Sequence, residues 1–348
     1  MLDQKTPCHR SLISLSGRAA TTQKRAATGA RAAMLEIRHL VKCFGPLVAV
    51  DDVSFTVPQG EVLGFLGPNG AGKSTTMKMI AGFLAPTGGT AIICGFDIGI
   101  RPIAAKRRIG YLPEGAPAYP DMTPAAFLNF IAHIRGYSGG EARRRIGRIV
   151  EMIRIAEVMH QPIETLSKGY KRRVGVAQAL LHDPDVVILD EPTDGLDPNQ
   201  KYEMRKIITA MRPEKAIVIS THLLEEVEAV CNRAIIIAHG RILADGTPTE
   251  LAQRSRRHNA VRLGIPGGAD PNVRAELAAL PAVAAVEPDG DGLIVLPRGG
   301  RPVVADIADL ARNRAWTITG LQVERGRLDD VFREITAAPP EPAPVAAA

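Results

Sequence analysis

Apolar positions in the first third of the chain follow the spacing of β-strands. Residues 35–66 alternate apolar and polar side chains, and the run at 62–66 is almost wholly apolar, which predicts a short buried strand there. Two further apolar runs, at 90–94 and 109–112, predict another strand pair. The pattern therefore favours β-structure at the start of the folded chain.

Helical spacing of apolar residues follows in two places. Residues 76–83 predict a helix whose inner face carries Met77, Ile80 and Phe83. Residues 124–158 also repeat apolar side chains at helical spacing, and a basic run within them is interpreted as a solvated helix face. Helices and strands are thus expected to be interleaved.

Two strands in the middle of the chain are apolar throughout. They lie at 186–189 and 217–219, and a helical pattern precedes each of them. Continuous apolar strands that alternate with helices are typical of a parallel sheet covered on both faces. The runs at 234–238 and 241–244 then predict a hairpin. The main fold class is therefore α/β with a parallel-sheet core.

The pattern changes after Gly246. Short apolar runs alternate with helix-like stretches, which predicts a second, small α/β domain. The predicted divisions are an N-terminal extension at 1–33, a main domain at 34–253, the small C-terminal domain at 258–336 and a tail at 337–348. The tail contains only Pro, Glu, Ala and Val, so disorder is expected there.

Charge is unevenly distributed along the 348 residues. The formal net charge is +6, but residues 1–33 hold six Lys and Arg against a single Asp, so the remainder is nearly neutral. Because residues 34–348 are nearly neutral, they offer no basic surface for nucleic acid. Nucleic acid is therefore not expected as a partner. Three interpretations of residues 1–33 stay open: an organellar transit peptide, a disordered extension, or a start site set ahead of Met34.

Composition sets two further limits. No run of eighteen or more apolar residues is present, so no membrane-spanning helix is expected. The four cysteines are scattered without metal-binding spacing and are expected to be thiols in a reducing compartment; they are Cys8, Cys43, Cys94 and Cys231.

The candidate chemistry begins at a glycine-rich loop that fits the phosphate-binding pattern G-x-x-x-x-G-K-[ST]. The loop consists of Gly67, Pro68, Asn69, Gly70, Ala71, Gly72, Lys73, Ser74 and Thr75. Its glycines let backbone N–H groups approach phosphate oxygens, and the following helix adds the positive end of its dipole. Lys73 is expected to reach the β- and γ-phosphates, and Ser74 to ligate Mg²⁺. The loop therefore predicts a nucleoside triphosphate site.

An acidic pair supplies the second part of such a site. Asp190 and Glu191 directly follow the apolar strand at 186–189. Asp190 is expected to hold the Mg²⁺ complex and Glu191 to polarise the attacking water, because phosphoryl transfer needs charge neutralisation and a base for the nucleophile.

The order of motifs over residues 35–250 resembles the ATP-binding cassette (ABC) ATPases. Besides the phosphate loop and the acidic pair, the matching elements are Phe44 at the adenine-stacking position, Tyr111-Leu112-Pro113-Glu114 as glutamine loop, Leu166-Ser167-Lys168-Gly169-Tyr170 as signature, Gly195-Leu196-Asp197-Pro198 as D-loop and Ser220-Thr221-His222 as switch histidine. The resemblance implies a P-loop NTPase cassette with a parallel-sheet core, an antiparallel β subdomain and a helical subdomain.

Two motifs depart from the family. Glu114 stands where the family has glutamine; its carboxylate can still ligate Mg²⁺, but it adds negative charge beside the γ-phosphate. The signature reads Leu-Ser-Lys-Gly-Tyr in place of Leu-Ser-Gly-Gly-Gln. It keeps Ser167 and Gly169, the residues that would contact the γ-phosphate, while Lys168 adds a cation there.

The resemblance also implies how such a chain works. ATP would lie between Lys73 of one subunit and Ser167 of a second, and His222 would contact the γ-phosphate opposite Glu191, so a homodimer is expected. The implied cofactors are ATP and Mg²⁺. A separate transmembrane permease would dock on residues 115–160 and hold the chain at the inner, cytoplasmic face of the membrane.

Within the family, the chain most resembles cassettes of bacterial drug-resistance, sodium-export and gliding-motility exporters. These often have a C-terminal extension that ends in Leu-x-x-Val-Phe, and this chain has Leu328-Asp329-Asp330-Val331-Phe332. The extension would stabilise the dimer, gate the partner or pack passively. A translation or DNA-repair ATPase is the alternative. It is disfavoured by the single phosphate loop and by the short separation, 93 positions, between Lys73 and Leu166.

Overall fold

The computed structural model describes residues 33–116, 118–265, 270–290 and 292–337. Within them the chain forms two compact units, with the division between Ile242 and Leu243. This division falls earlier than the predicted boundary at 253–258, and the predicted domain limits stay a prediction. The regions predicted to be an N-terminal extension, at 1–33, and a disordered tail, at 337–348, lie outside the described part of the chain, apart from Ala33 and Ala337.

The first unit interleaves strands and helices. In chain order it contains β1 (Ala33–Phe44), β2 (Leu47–Pro58), β3 (Val62–Leu66), α1 (Lys73–Ile80), β4 (Gly88–Ile93), β5 (Phe96–Asp97), α2 (Pro102–Arg107), β6 (Ile109–Leu112), α3 (Pro124–Ile134), α4 (Gly139–Ile153), α5 (Lys168–Leu180), β7 (Val186–Asp190), α6 (Pro198–Met211), β8 (Ala216–Thr221), α7 (Leu224–Val230), β9 (Arg233–Ala238) and the start of β10 (Arg241–Gly246). The prediction of interleaved elements matches this order.

An antiparallel sheet with spatial order β2-β1-β4-β5 forms one layer of this unit. Its strands alternate buried and exposed residues, because one face packs on the core and the other faces water. Leu35 and Ile37 of β1 belong to the same apolar core as Met77 and Ile80 of α1. The predicted alternation over residues 35–66 therefore reflects a half-buried sheet.

A six-stranded sheet with spatial order β10-β9-β3-β8-β7-β6 forms the centre of the fold. The pairs from β9 across to β6 are parallel. Strands β3, β7 and β8 are buried at every residue, which explains their continuous apolar sequences. Since parallel neighbours end at the same edge, the residues that follow these three strands lie close together.

Two predictions about this unit were wrong. Phe83 is not on the inner face of a helix: α1 ends at Ile80, and the Phe83 side chain is 76% exposed with its ring 5.4 Å from that of Tyr111. The runs at 90–94 and 109–112 form strands but not a pair. β4 pairs with β1 in the antiparallel sheet and β6 with β7 in the parallel sheet, because each finds its hydrogen-bond partner far along the chain.

The second unit is built on an antiparallel sheet with an apolar core. It contains the end of β10, then α8 (Pro248–Ala252), β11 (His258–Gly264), α9 (Pro271–Ala278), β12 (Val283–Asp289), β13 (Gly292–Pro297), α10 (Val304–Asn313), β14 (Gly320–Arg325) and α11 (Leu328–Ala337). The spatial order is β12-β13-β11-β14. Leu263, Leu293 and Ile307 lie in its core. The sequence pattern had not indicated β14, and it had not indicated that Leu328 and Val331 are buried on a helix.

Candidate functional site

The glycine-rich loop joins β3 to α1 and leaves the helix start open. Gly72 precedes α1 with φ of 100°, and no side chain caps the helix. A Cβ at Gly72 would lie 2.5 Å from the carbonyl oxygen of Ala49, and one at Gly67 would lie 2.4 Å from that of Ile237. Only glycine fits either position, and the first N–H groups of the helix stay available to an anion.

Lys73 lies at the centre of this loop and is buried, with 6% of its surface exposed. Its Nζ donates to the carbonyl oxygens of Gly67 at 2.7 Å and Pro68 at 3.1 Å. The same nitrogen lies 3.9 Å from Oε1 of Glu191. Burial lowers the pKa of Lys73, and the carboxylates of Glu191, Asp190 and Glu114 act in the opposite direction. The ammonium is thus held in place by groups that an anionic ligand can replace.

Asp190 ends β7 and is fully buried. Its Oδ1 accepts hydrogen bonds from the hydroxyls of Ser74, at 3.3 Å, and Ser220. Its Oδ2 is buried with no hydrogen-bond partner among the described residues. A buried carboxylate oxygen without a partner is costly, and Mg²⁺ prefers oxygen ligands of this kind. Ser74 and Asp190 therefore fit a magnesium site.

Glu191 follows Asp190 in a strained backbone conformation. Its φ is +50°, in the left-handed region that non-glycine residues rarely adopt. Its N–H donates to the carbonyl oxygen of Ser220 at 3.0 Å, which ties β7 to β8 at this edge. Its Oε2 lies 3.0 Å from Nδ1 of His222, the residue after β8. The structure thus places Lys73, Asp190, Glu191 and His222 around one point, as the motifs indicated.

Ser167, Gly169 and Phe44 make the contacts that the structure describes with other residues. Ser167 is the N-cap residue of α5, and its hydroxyl accepts a hydrogen bond from the N–H of Tyr170 at 3.4 Å. Gly169 lies beside Gln200, where a Cβ would be 2.5 Å from the amide. Within the described chain, no hydrogen bond or ion pair joins Ser167 to the phosphate loop. Phe44 is 48% exposed, with Nζ of Lys42 5.1 Å from its ring centroid.

Sequence reasoning missed a buried carboxylate behind the site. Glu226 of α7 accepts hydrogen bonds from the hydroxyls of Thr221, at 3.0 Å, and Thr193. It is 4% exposed, and burial raises its pKa. Thr193 lies two residues after Glu191 and Thr221 precedes His222, so Glu226 links the two loops that present those side chains. Its position in the first turn of a helix gave no sign of burial.

A buried arginine was missed as well. Arg172 of α5 is 6% exposed, and its Nη1 has no hydrogen-bond partner among the described residues. In the sequence it stands within the basic run Lys171-Arg172-Arg173, which resembles any solvated helix face. Arg172 differs from Lys171 and Arg173 in being buried, and this difference arises from the packing of α5 in the folded chain.

Known proteins resemble this chain over most of its length. The family model of the ABC transporter matches residues 50–194. The Nod factor export ATP-binding protein I of Ralstonia nicotianae is 33% identical over 304 residues, which cover 87% of this chain and 94% of that protein. The linearmycin resistance ATP-binding protein LnrL of Bacillus subtilis is 37% identical over 235 residues, which cover 67% and 76%.

A solved structure resembles the fold. The dimeric structure of MJ0796, a bacterial ABC transporter cassette, matches with a TM-score of 0.58 and 22% identity, over 62% of this chain and 99% of that one. This chain therefore belongs to the ATP-binding proteins of ABC transporters. It is an α/β P-loop cassette that binds and hydrolyses ATP, as the order of its motifs predicted.

Proposed function

We propose that this chain drives export through a separate membrane permease, as a homodimer at the inner face of the membrane. Two relatives support export, since one is named for Nod factor export and the other for resistance to linearmycin. No helix within the described residues is long and apolar enough to cross a bilayer.

The observation that carries the catalytic part of the proposal is the group of side chains at the carboxyl ends of β3, β7 and β8. Lys73 would transfer its hydrogen bonds from loop carbonyls to the β- and γ-phosphates. Ser74 and Asp190 would hold Mg²⁺, with Glu114 as a further oxygen ligand. Mg²⁺ would neutralise phosphate charge when bound. The loop from Gly67 to Thr75 would bind the phosphates through its N–H groups.

Glu191 is the proposed general base. A carboxylate next to the terminal phosphate can accept the proton of the attacking water. The contact between His222 Nδ1 and Glu191 Oε2, at 3.0 Å, would orient that carboxylate, and His222 would contact the γ-phosphate when ATP is bound. The strained backbone of Glu191 supports a functional role, because strain of this kind persists where the surrounding structure enforces it.

The proposal of a dimer is based on the signature residues Ser167 and Gly169. Ser167 and Gly169 carry the signature, yet Ser167 has no bond to the phosphate loop of its own chain within the described residues. We infer that they complete the site of a second copy, with ATP between Lys73 of one subunit and Ser167 of the other. The dimeric form of MJ0796 is consistent with this arrangement. The exposed ring of Phe44 would stack on the adenine.

Mixing two inactive variants tests the shared site. Lys73→Ala and Ser167→Ala should each abolish most ATP hydrolysis when assayed alone. When the two are mixed, mixed dimers form with one intact site, made of Lys73 from one chain and Ser167 from the other, and phosphate release should reappear. Continued inactivity of a mixture shown to contain mixed dimers would contradict the shared site.

The permease and the direction of transport need a second experiment. The full chain is purified from detergent-solubilised membranes of its own host, and the accompanying proteins are identified. We expect a hydrophobic protein with several membrane-spanning segments. In sealed vesicles that contain both chains, ATP supplied on the cassette side should move substrate away from that side. Movement toward the cassette, or recovery without any membrane protein, would contradict the proposal.

A further inference from the structure

Within the described residues, Lys73 and Arg172 are the buried lysine and arginine side chains. Lys73 belongs to the phosphate loop, whereas Arg172 has no role in the site as described so far. Its Nη1 is shielded from solvent and has no hydrogen-bond partner within the described chain. A buried guanidinium with a free donor is unfavourable for folding, so its presence calls for a functional explanation.

The packing of α5 on β6 determines where Arg172 lies. A Cβ at Gly110 of β6 would be 2.3 Å from the carbonyl oxygen of Ala179, near the end of α5. A Cβ at Gly175 would be 2.7 Å from Leu112 and 2.9 Å from Ala116. α5 therefore runs antiparallel to β6 with this face against the strand, and its N-terminal end lies at the loop that follows β6.

Arg172 lies three residues before Gly175, one helical turn further along the same face. The neighbouring turn, at Gly175, packs against Leu112 and Ala116, which stand on either side of Glu114 in the sequence. The helix thus positions the guanidinium at the carboxyl edge of the sheet, where β7 also ends.

Four carboxylates at that edge act on the guanidinium. Burial lowers the pKa of Arg172, and the charges of Asp194, Glu191, Asp190 and Glu114 act in the opposite direction. Three of them, all except Asp194, also act on Lys73. The carboxylates of Glu191, Asp190 and Glu114 thus act on two buried cations, one from the phosphate loop and one from α5.

We propose that Arg172 is a second cation of the nucleotide site, which offsets the carboxylates of Asp194, Glu191, Asp190 and Glu114 and so favours binding of the terminal phosphate of ATP. This inference rests on the proposed nucleotide site. The four carboxylates would otherwise face the γ-phosphate with Lys73 as the single buried counter-charge within the described chain. ADP lacks the γ-phosphate, so Arg172 should matter more for ATP than for ADP.

The experiment measures equilibrium affinity for a non-hydrolysable ATP analogue, adenosine 5′-(β,γ-imido)triphosphate, and for ADP. Arg172→Gln should weaken binding of the analogue about tenfold and binding of ADP less than about twofold, as expected for one charge at a partly screened distance. Arg173→Gln is the matched control. Its guanidinium lies over the ring of Tyr170 and donates to the carbonyl oxygen of Arg154, so nucleotide affinity should be unchanged.

Two further variants separate charge from packing. Arg172→Lys keeps the charge and should bind the analogue within about threefold of the wild type. Asp194→Asn, at an exposed position, should tighten analogue binding in the wild type and restore most of the affinity that Arg172→Gln loses. This rescue is expected because removing one negative charge replaces the missing positive charge.

The melting temperature of the nucleotide-free protein completes the test. Arg172→Gln should leave it unchanged or raise it, because a buried, incompletely paired charge is removed. An equal loss of affinity for both nucleotides, together with a lowered melting temperature, would assign Arg172 a packing role and overturn the proposal. Affinities of Arg172→Gln within about twofold of the wild type would also overturn it. If Arg172→Gln does not fold, the proposal is tested by Asp194→Asn in the wild type, which should tighten binding of the analogue. Unchanged affinity would then contradict the proposal. A wild type that binds neither nucleotide would instead contradict the proposed site.

Discussion

The two units of this protein bury different kinds of side chain. Among the described residues, the first unit buries ten polar or charged side chains and the second buries one, Ser255. Those of the first unit are Lys73, Thr76, Arg172, His182, Asp190, Glu191, Thr193, Ser220, Thr221 and Glu226. Most of them lie at the carboxyl edge of the parallel sheet. The second unit instead packs aliphatic residues against an antiparallel sheet.

This difference indicates that the first unit contains buried polar groups that lower its stability and serve the reaction. Buried polar groups are costly unless each finds a partner, and here Asp190 and Arg172 each retain an atom without one among the described residues. In the proposed site, Mg²⁺ would bind Asp190, and Arg172 would offset the charge of the neighbouring carboxylates. The apolar core of the second unit has no such demand, so its substitutions should affect folding alone, whereas substitutions at the edge should affect the reaction.

The largest expected effect is that of Glu191→Gln. Loss of the general base should slow ATP hydrolysis by roughly 10²–10⁴-fold. ATP binding should persist, because the amide keeps the size of the side chain, and an ATP-bound dimer should accumulate. Phosphate release and light scattering measure the two effects. Glu225→Gln, at an exposed residue of α7, is the control. A monomeric, fully active Glu191→Gln protein would contradict the proposal that the buried polar residues of the first unit carry out the reaction.

Leu263→Ala should have the largest effect on the second unit. Leu263 is fully buried in its core, and truncation to Ala should lower the free energy of unfolding by about 2–5 kcal/mol. Denaturant titration measures this loss, and Leu321→Ala, at a residue 40% exposed on β14, should cost much less. Affinity for ATP should not change. A parallel loss of ATP affinity would show that the site depends on the second unit.

Glu226→Ala probes the buried edge without touching the proposed reacting groups. It leaves the hydroxyls of Thr193 and Thr221 without their acceptor, which should destabilise the protein by about 1–3 kcal/mol and reduce hydrolysis. Glu226→Gln retains one acceptor oxygen and should be milder in both measurements. Glu228→Ala, on an exposed position of the same helix, is the control. Equal damage from Gln and Ala would indicate that the charge, and not the hydrogen bonding, matters.

A drop of one pH unit below pH 6.5 should have the smallest effect on stability, through the buried His182 of the first unit. Burial lowers the pKa of His182 to about 4, with Arg135 adding to the effect, and Nε2–H donates to the carbonyl oxygen of Ile109. The unfolded state takes up a proton near pH 6.5 and the folded state only near pH 4. The contribution of His182 to stability is therefore full above pH 6.5 and falls by at most about 1.4 kcal/mol per pH unit between pH 6.5 and pH 4. His182→Gln should flatten this slope in thermal unfolding; an unchanged slope would assign it to other groups.

Local sequence predicted much of the first unit because its elements have strong periodic patterns. The strands β3, β7 and β8 are buried on both faces, so their apolar runs were unambiguous. The phosphate loop was equally clear from its pattern, and in the structure Gly67 and Gly72 lie so close to backbone oxygens that no side chain fits there. The error at Phe83 arose because an apolar residue after a helix end continues the helical period without belonging to the helix.

The sequence by itself determined the family, the α/β cassette and the order of the motifs, since these depend on short stretches whose residues interact locally. Tertiary structure alone decided which side chains meet. β4 and β6 joined different sheets, and Glu226 and Arg172 became buried beside the site. Strand pairing and helix packing join residues far apart in the chain, and no local period records such contacts. Glu226 and Arg172 could therefore be recognised as buried residues near the site only from the folded structure, in which the ends of the parallel strands lie side by side.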